Sequence, residues 1–172
     1  MKLRIPKTTI DRWASDLKAA GHREFGGVLF GEQIAEGDFR IVEATHQRFW
    51  GGTPTTFNRR GGTARKEILR LHEKTGGNPE RFNYLGEWHS HPNAPTVPSL
   101  QDEITMYELL ADQAGAVNFL ILILVRLEVD ARVCVGAQTF LGSGHRLNCE
   151  TEIEGAEHNA MDAASVEEEE EK

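Results

Sequence analysis

Cysteine is scarce in this sequence, with two among 172 residues, Cys134 and Cys149. They form neither a CxxC pair nor any other metal spacing, which excludes a structural zinc finger. A disulfide is not expected, because the chain reads as cytoplasmic, where thiols stay reduced. Both cysteines are expected to be small, buried or half-buried side chains. Long apolar runs are missing too. The longest, residues 117–125, is broken by Asn118 and is far too short to span a bilayer. The first residues, MKLRIPKTTIDRWAS, lack the apolar core of a signal peptide. Also absent are HExxH, the helical metalloprotease pattern, and any repeat at a solenoid period. A membrane partner is therefore not expected.

An overall excess of positive charge is lacking as well. The formal net charge is −8. Residues 150–172 hold ten acids and one lysine, whereas residues 1–149 hold 17 acids and 18 bases. The body is thus almost neutral and the acidity belongs to a tail. Residues 155–172, GAEHNAMDAASVEEEEEK, have almost no large apolar side chains and are expected to be a disordered tail behind a folded domain of residues 1–154. One basic cluster stands out: Arg59, Arg60, Arg65, Lys66, Arg70, Lys74 and Arg81, diluted by three acids. A solvated helix face is the default reading, with a docking surface for an acidic partner as the alternative. No aromatic interleaving supports nucleic-acid binding.

What is present is a globular profile, 39% hydrophobic and 27% charged. Residues 3–6 read as a short strand. A helix capped by Thr8 or Thr9 carries Ile10, Trp13, Leu17 and Ala20 at helical spacing and stops at Gly21. Residues 25–31, FGGVLFG, read as a buried strand, and 39–45 as its hairpin partner across Glu36, Gly37 and Asp38. Residues 46–62 form a long Gly/Thr/Pro loop. Thr63 caps a helix with Ile68, Leu71 and Thr75 on one face, stopped by Gly76 and Gly77. Residues 84–91 alternate as a strand, and 92–98 hold three prolines in a rigid loop. Ser99 begins a helix to about Ala114, followed by Gly115. A central strand over 117–126 is apolar on both faces. Residues 131–141 are its antiparallel neighbour, and 146–153 form a last edge strand. The fold class is α/β of the α+β type: a mixed, largely antiparallel sheet flanked by helices.

The chemistry concentrates in one string, HSHPNAPTVPSLQD. On a strand, residues i and i+2 share a face, so His89 and His91 present two imidazoles to one side. That is half of a catalytic zinc site. A strand alone cannot surround a metal, so the third ligand comes from elsewhere. The proline loop turns the chain back, and Asp102 lies in the first turn of the helix opened by Ser99, where the helix dipole favours a carboxylate. Two histidines and one aspartate leave a fourth position for water. Each piece alone has an ordinary explanation. HxH recurs by chance on strands, and Ser-x-x-Asp is also a capping box with Asp in place of Glu. The combination at a definite spacing is what carries weight. His22, His46, His72, His145 and His158 lack partners at ligand spacing and read as surface residues. Trp88, between Glu87 and His89, faces the core.

These residues resemble a known family. H-S-H-P, six residues, then S-L-Q-D is similar to the signature of JAMM (MPN+, JAB1/MPN/Mov34) zinc metalloproteases, whose fold is described as MPN/JAB-like or cytidine-deaminase-like. Glu24-Phe25-Gly26-Gly27-Val28-Leu29-Phe30-Gly31 matches the family's upstream E-x-x-G-x-x-x-G pattern. The resemblance spans about residues 3–141 and implies a bound Zn2+ held by His89, His91 and Asp102. It also implies Glu24 as general base and acid, and Ser99 as the hydroxyl facing the oxyanion. Glu32 lies outside the motif. Glu87 shares the parity of His89 and His91 and is the stronger competitor, either as base or as a partner of a ligand histidine.

The string GEWHSHP resembles the prokaryotic JAB branch, in particular deconjugating peptidases encoded beside E1- and E2-like proteins in bacterial anti-phage (CBASS) operons. What this implies is an isopeptidase or deubiquitinase-like hydrolase. Its substrate is a ubiquitin-like or conjugated protein with an extended C-terminal tail, and its partners include the E1/E2-like operon proteins. Two alternatives stay open: a hydrolase acting on another target, such as a sulfur-carrier precursor or a small amide, and a zinc-holding binding module without turnover.

The tail's composition yields a first prediction. Deleting residues 157–172 leaves both the melting temperature and hydrolytic activity little changed. A large loss of either, read by calorimetry and a cleavage assay, would show that the acidic run docks on the body.

Overall fold

The computed structural model describes residues 1–46, 61–113 and 117–155. The elements run β1 (Lys2–Pro6), α1 (Lys7–Ala20), β2 (Gly26–Ala35), β3 (Asp38–Ala44), α2 (Gly61–Lys74), β4 (Phe82–Ser90), α3 (Leu100–Asp112), β5 (Phe119–Leu127), β6 (Val133–Leu141), β7 (Arg146–Asn148) and β8 (Glu150–Glu154). The strands form one sheet in the order β7-β6-β5-β4-β2-β3-β1-β8. Pairing is antiparallel at β2–β3, β2–β4, β5–β6 and β6–β7, and parallel at β4–β5, β1–β3 and β1–β8. The result is the expected α+β architecture with a mostly antiparallel sheet flanked by helices.

The sheet is strongly curled. β7 and β8 occupy opposite ends of the strand order, yet only Cys149 separates them in the chain. Cys149 N–H donates to Ala137 on β6 at 3.0 Å, and Glu150 N–H donates to Met1 beside β1 at 2.9 Å. Phe39 of β3 and Phe119 of β5 also touch, at 5.2 Å between ring centroids, with two strands between them in the sheet order. The concave face wraps α1. Trp13 and Leu17 pack there against Leu3, Ile5, Ile41, Trp88 and Ile123. The convex face carries α2 and α3, with Met106, Leu109 and Leu110 against Val28, Leu122, Leu124 and Phe140, and Ile68 at the margin.

Several boundaries differ from the sequence reading. α1 starts at Lys7 with Pro6 as its cap residue and no side-chain cap, so Thr8 and Thr9 lie inside it. Proline's fixed φ suits this extended-to-helix junction. α2 begins at Gly61, which puts Thr63 within the helix. β2 continues to Ala35 and so carries the hairpin beyond residue 31. The expected edge strand over 146–153 is two strands on opposite edges. α3 ends at Asp112 with Gln113 as its cap residue, short of the expected Ala114. Residues 47–60 of the expected loop, Ala114 and Gly115, and the expected acidic tail from residue 156 lie outside the described residues, as do Arg59 and Arg60.

β4 does not alternate without interruption. Leu29 pairs with Gly86 and Phe30 with Tyr84, so Leu85 is an extra residue and the strand is bulged. Gly86 has φ +139°, and a Cβ there would stand 2.0 Å from the Ile121 carbonyl. Tyr84 packs on the convex side and Leu85 on the concave side. Beyond the bulge Glu87, His89 and His91 face the convex side, where they line a common cavity, while Trp88 enters the core under α1.

β2 makes a second close approach, to Thr45 just beyond β3. A Cβ on Gly27 would stand 1.9 Å from the Thr45 carbonyl oxygen, which also accepts from Trp88 Nε1 at 2.9 Å. Gly27→Ala is therefore expected to destabilise the fold by about 1–3 kcal/mol, because backbone must shift to admit the methyl. Denaturant unfolding checks this, and a change below about 0.5 kcal/mol would count against it.

Candidate metal centre

His89 sits near the end of β4, and His91 follows as the strand continues, its N–H donating to Val125 at 2.8 Å. Their Nε2 atoms stand 3.0 Å apart. Asp102, in the first turn of α3, brings Oδ1 to 3.2 Å from His89 Nε2 and Oδ2 to 3.6 Å from His91 Nε2. The three ligand atoms lie within 4.8 Å of one another, and no other such group of His, Cys, Asp and Glu occurs among the described residues. His91 Nδ1 donates to the Pro95 carbonyl at 2.8 Å. A carbonyl can only accept, so Nδ1 carries a proton, and in the neutral ring Nε2 is the nitrogen left with a lone pair for a metal. This donor set fits a catalytic zinc with an open position.

Asp102 has a second task. Ser99 caps α3, and the two form a reciprocal capping box. Ser99 N–H and Oγ–H each donate to Asp102 Oδ2 at 2.7 Å, and Asp102 N–H donates back to Ser99 Oγ at 3.2 Å. Burial pushes the Asp102 carboxyl up, but hydrogen bonds from His89, His91 and Ser99 prevail and hold it well below the usual carboxylate range. Burial lowers the pKa of His89. In His91 burial acts the same way, but the bonds to Asp102 and to the Pro95 carbonyl outweigh it and raise the pKa.

A cavity of about 250 Å³ opens over this group. Its polar end holds the two histidines, Asp102, Ser99, Glu24 and Glu87, and Met106, Leu122 and Ala94 make it apolar elsewhere. Glu24 precedes β2 and is tied to the histidine strand through its neighbour. Phe25 N–H donates to Ser90 Oγ at 3.0 Å, and Ser90 N–H returns a bond to the Phe25 carbonyl at 2.8 Å. Burial raises the Glu24 pKa, His91 pulls it back, and Asp102 adds to the rise. Such a carboxyl is suited to exchanging protons nearer neutrality.

The competing carboxylates separate by position. Glu32 bonds Arg40 and Arg81 and does not line the cavity. Glu87 does line it and is 3% exposed. The remaining described histidines are elsewhere. His22 contacts Asn93, His46 bonds Asp16 and stacks on Phe25, His72 meets Phe30 edge-on, and His145 contacts Ser143. Both cysteines are free, and Cys149 is half-buried beside Thr139. Two contributors had not been picked out from the sequence, the Ser90 hydroxyl and the Pro95 carbonyl. Ser90 was visible as the middle of HSH, but a backbone carbonyl leaves no mark in a sequence.

Residues 6–135 match the family described as prokaryotic homologs of the JAB domain. The chain belongs to that family. A curated relative, the CD-NTase/cGAS isopeptidase of Enterobacter hormaechei subsp. hoffmannii, is 32% identical over 109 residues, 63% of this chain and 58% of the relative's own length. The fold is shared with the solution structure of protein DSY2949 from Desulfitobacterium hafniense. That match has a TM-score of 0.62 and 16% identity, covering 91% of this chain and 97% of the other. It is shared also with a solution structure from Salinibacter ruber, with a TM-score of 0.51 and 17% identity over 88% of this chain and 92% of the other. Among the described residues no helix is long and apolar enough to cross a membrane.

Because Ser99 caps α3, Ser99→Ala should cost about 1 kcal/mol of stability in the metal-free protein. Urea unfolding checks this. An unchanged midpoint would mean that the capping box contributes nothing to α3.

Proposed function

We propose that this chain is a zinc-dependent isopeptidase that removes a conjugated protein at its C-terminal tail. The observation that carries this reading is the convergence of His89, His91 and Asp102 with Glu24 in one cavity at the end of β4. His89 and His91 would hold the metal through Nε2, and Asp102 through its carboxylate. When bound, zinc supplies Lewis acidity and lowers the pKa of a coordinated water toward neutrality. Glu24 takes a proton from the attacking water and returns it to the leaving amine. Ser99 donates its hydroxyl hydrogen to the oxygen that gains charge as the carbonyl is attacked, which requires it to turn from Asp102. Glu87 remains the second candidate for the base.

The substrate class follows the relative whose name is CD-NTase/cGAS isopeptidase. We carry to this chain a nucleotidyltransferase-like or ubiquitin-like protein joined through its C-terminal carboxyl to an amine. On this reading E1- and E2-like proteins make the conjugate in the same cytoplasm, in an anti-phage operon, and residues 1–154 suffice for catalysis. On this reading an extended tail with small residues beside the cut is the expected substrate, its side chains meeting Met106, Leu122 and Thr105, which line the cavity.

Three measurements test the proposal. Metal analysis of protein purified without chelator should find one zinc per chain, and a value near zero that added zinc does not raise would defeat it. Glu24→Ala should keep the metal and lose about a hundredfold to ten-thousandfold in turnover of a tail fusion, followed by mass spectrometry. Near-normal turnover in Glu24→Ala, with Glu87→Ala inactive, would transfer the role to Glu87. Fusions with Gly or Ala before the cut should be cleaved faster than Leu or Phe variants, and equal rates would favour a broader hydrolase.

A further inference from the structure

The loop over 92–98 is irregular, yet the β5–β6 hairpin grips it on both sides of Pro95. On one side, Arg126 Nη1 donates to the Ala94 carbonyl at 3.3 Å, while its Nη2 is steadied by Glu128 at 2.6 Å. On the other, the Thr96 carbonyl lies directly over Gly136, where a Cβ would stand 1.9 Å from the oxygen. Thr96 Oγ1 also stands 3.6 Å from Cys134 Sγ on the same strand. Between these points the Pro95 carbonyl accepts from His91 Nδ1. That bond assigns the tautomer of His91 and aims its Nε2 at His89 and Asp102.

We propose that Gly136 and Arg126, about 45 and 35 residues along the chain from His91, are positioning residues for the metal, acting through the Pro95 carbonyl. The inference rests on the metal reading above. Gly136 has a steric role, since only glycine lets the loop lie that close to β6. Arg126 sets the height of the loop at Ala94. Neither residue lines the cavity. If the loop lifts, Pro95 leaves His91, the ring is free to turn and to take the other tautomer, and one ligand loses its pre-set aim.

The test uses the full-length chain and reads metal, not turnover. Zinc affinity is measured by competition with a chromogenic chelator, and coordination geometry by the visible absorption of the cobalt-loaded protein. Gly136→Ala should weaken zinc by about 10–100-fold and alter the cobalt bands. Gly142→Ala, in the turn after β6, is the control, because its methyl would meet only the Asn118 carbonyl at 3.7 Å. Both readouts should stay at wild-type values there. A folded Gly136→Ala with wild-type zinc affinity and an unchanged cobalt spectrum overturns the proposal. If Gly136→Ala does not fold, Arg126→Gln decides: a several-fold loss of affinity with altered bands supports the clamp, and no change overturns it. A wild-type chain that binds no zinc defeats the metal reading and the clamp together, whereas a zinc-binding wild type matched by its variants defeats the clamp alone.

Discussion

The pairing of β2 with β4 is the constraint on which the site depends, and the bulge at Leu85–Gly86 gives that pairing its form. Before the bulge, β4 points Tyr84 to the convex side. After it, the phase is reset, so that Trp88 enters the core while Glu87, His89 and His91 face the cavity. A one-residue slip in a strand moves every side chain to the other face, which here would bury the histidines against α1 and expose an indole. The same pairing puts Gly26 opposite His89, and therefore places Glu24 next to the histidines although more than sixty residues separate them. The double link between Phe25 and Ser90 then fixes the start of β2 and, with it, the position of Glu24.

Asp102 joins the helix layer to this strand end. One carboxylate oxygen closes the capping box of α3 and the other faces His89. Buried charge is costly unless hydrogen bonds surround it, and this carboxylate has bonds on both sides. Helix register and the position of Asp102 are thereby coupled: a shift of α3 along its axis would break the cap and the histidine contact together.

Much of this was legible in the sequence because it is local. The two-residue spacing of His89 and His91, the Ser99–Asp102 cap and the loop of prolines between them all lie within fourteen residues. The strands 25–31, 39–45 and 84–91 and the helix after Ser99 could be read from periodicity and turn residues. What escaped was set by distant neighbours. Gly86 looks like any strand glycine until the Ile121 carbonyl is placed against it. Pro6 replaces Thr8 or Thr9 as the cap residue because β1 runs straight into α1. The stretch 146–153 has one continuous strand pattern, but its two halves have different partners, which only the curled sheet reveals.

That divided strand has a consequence for how the chain assembles. β8 pairs with β1 in register from Lys2↔Glu150 to Pro6↔Glu154, so the contact closing the sheet spans nearly the whole described chain. Contacts of such separation form late, after more local pairings have reduced the entropy of closing the loop. The hairpins β2–β3 and β5–β6 and the insertion of β4 between them need nothing from residues 146–154. During synthesis, then, the histidine strand and its neighbours can pair while the final strand is still in the ribosome. Until it emerges, β1 has an open edge, and a newly made chain is exposed to pairing with the wrong partner there.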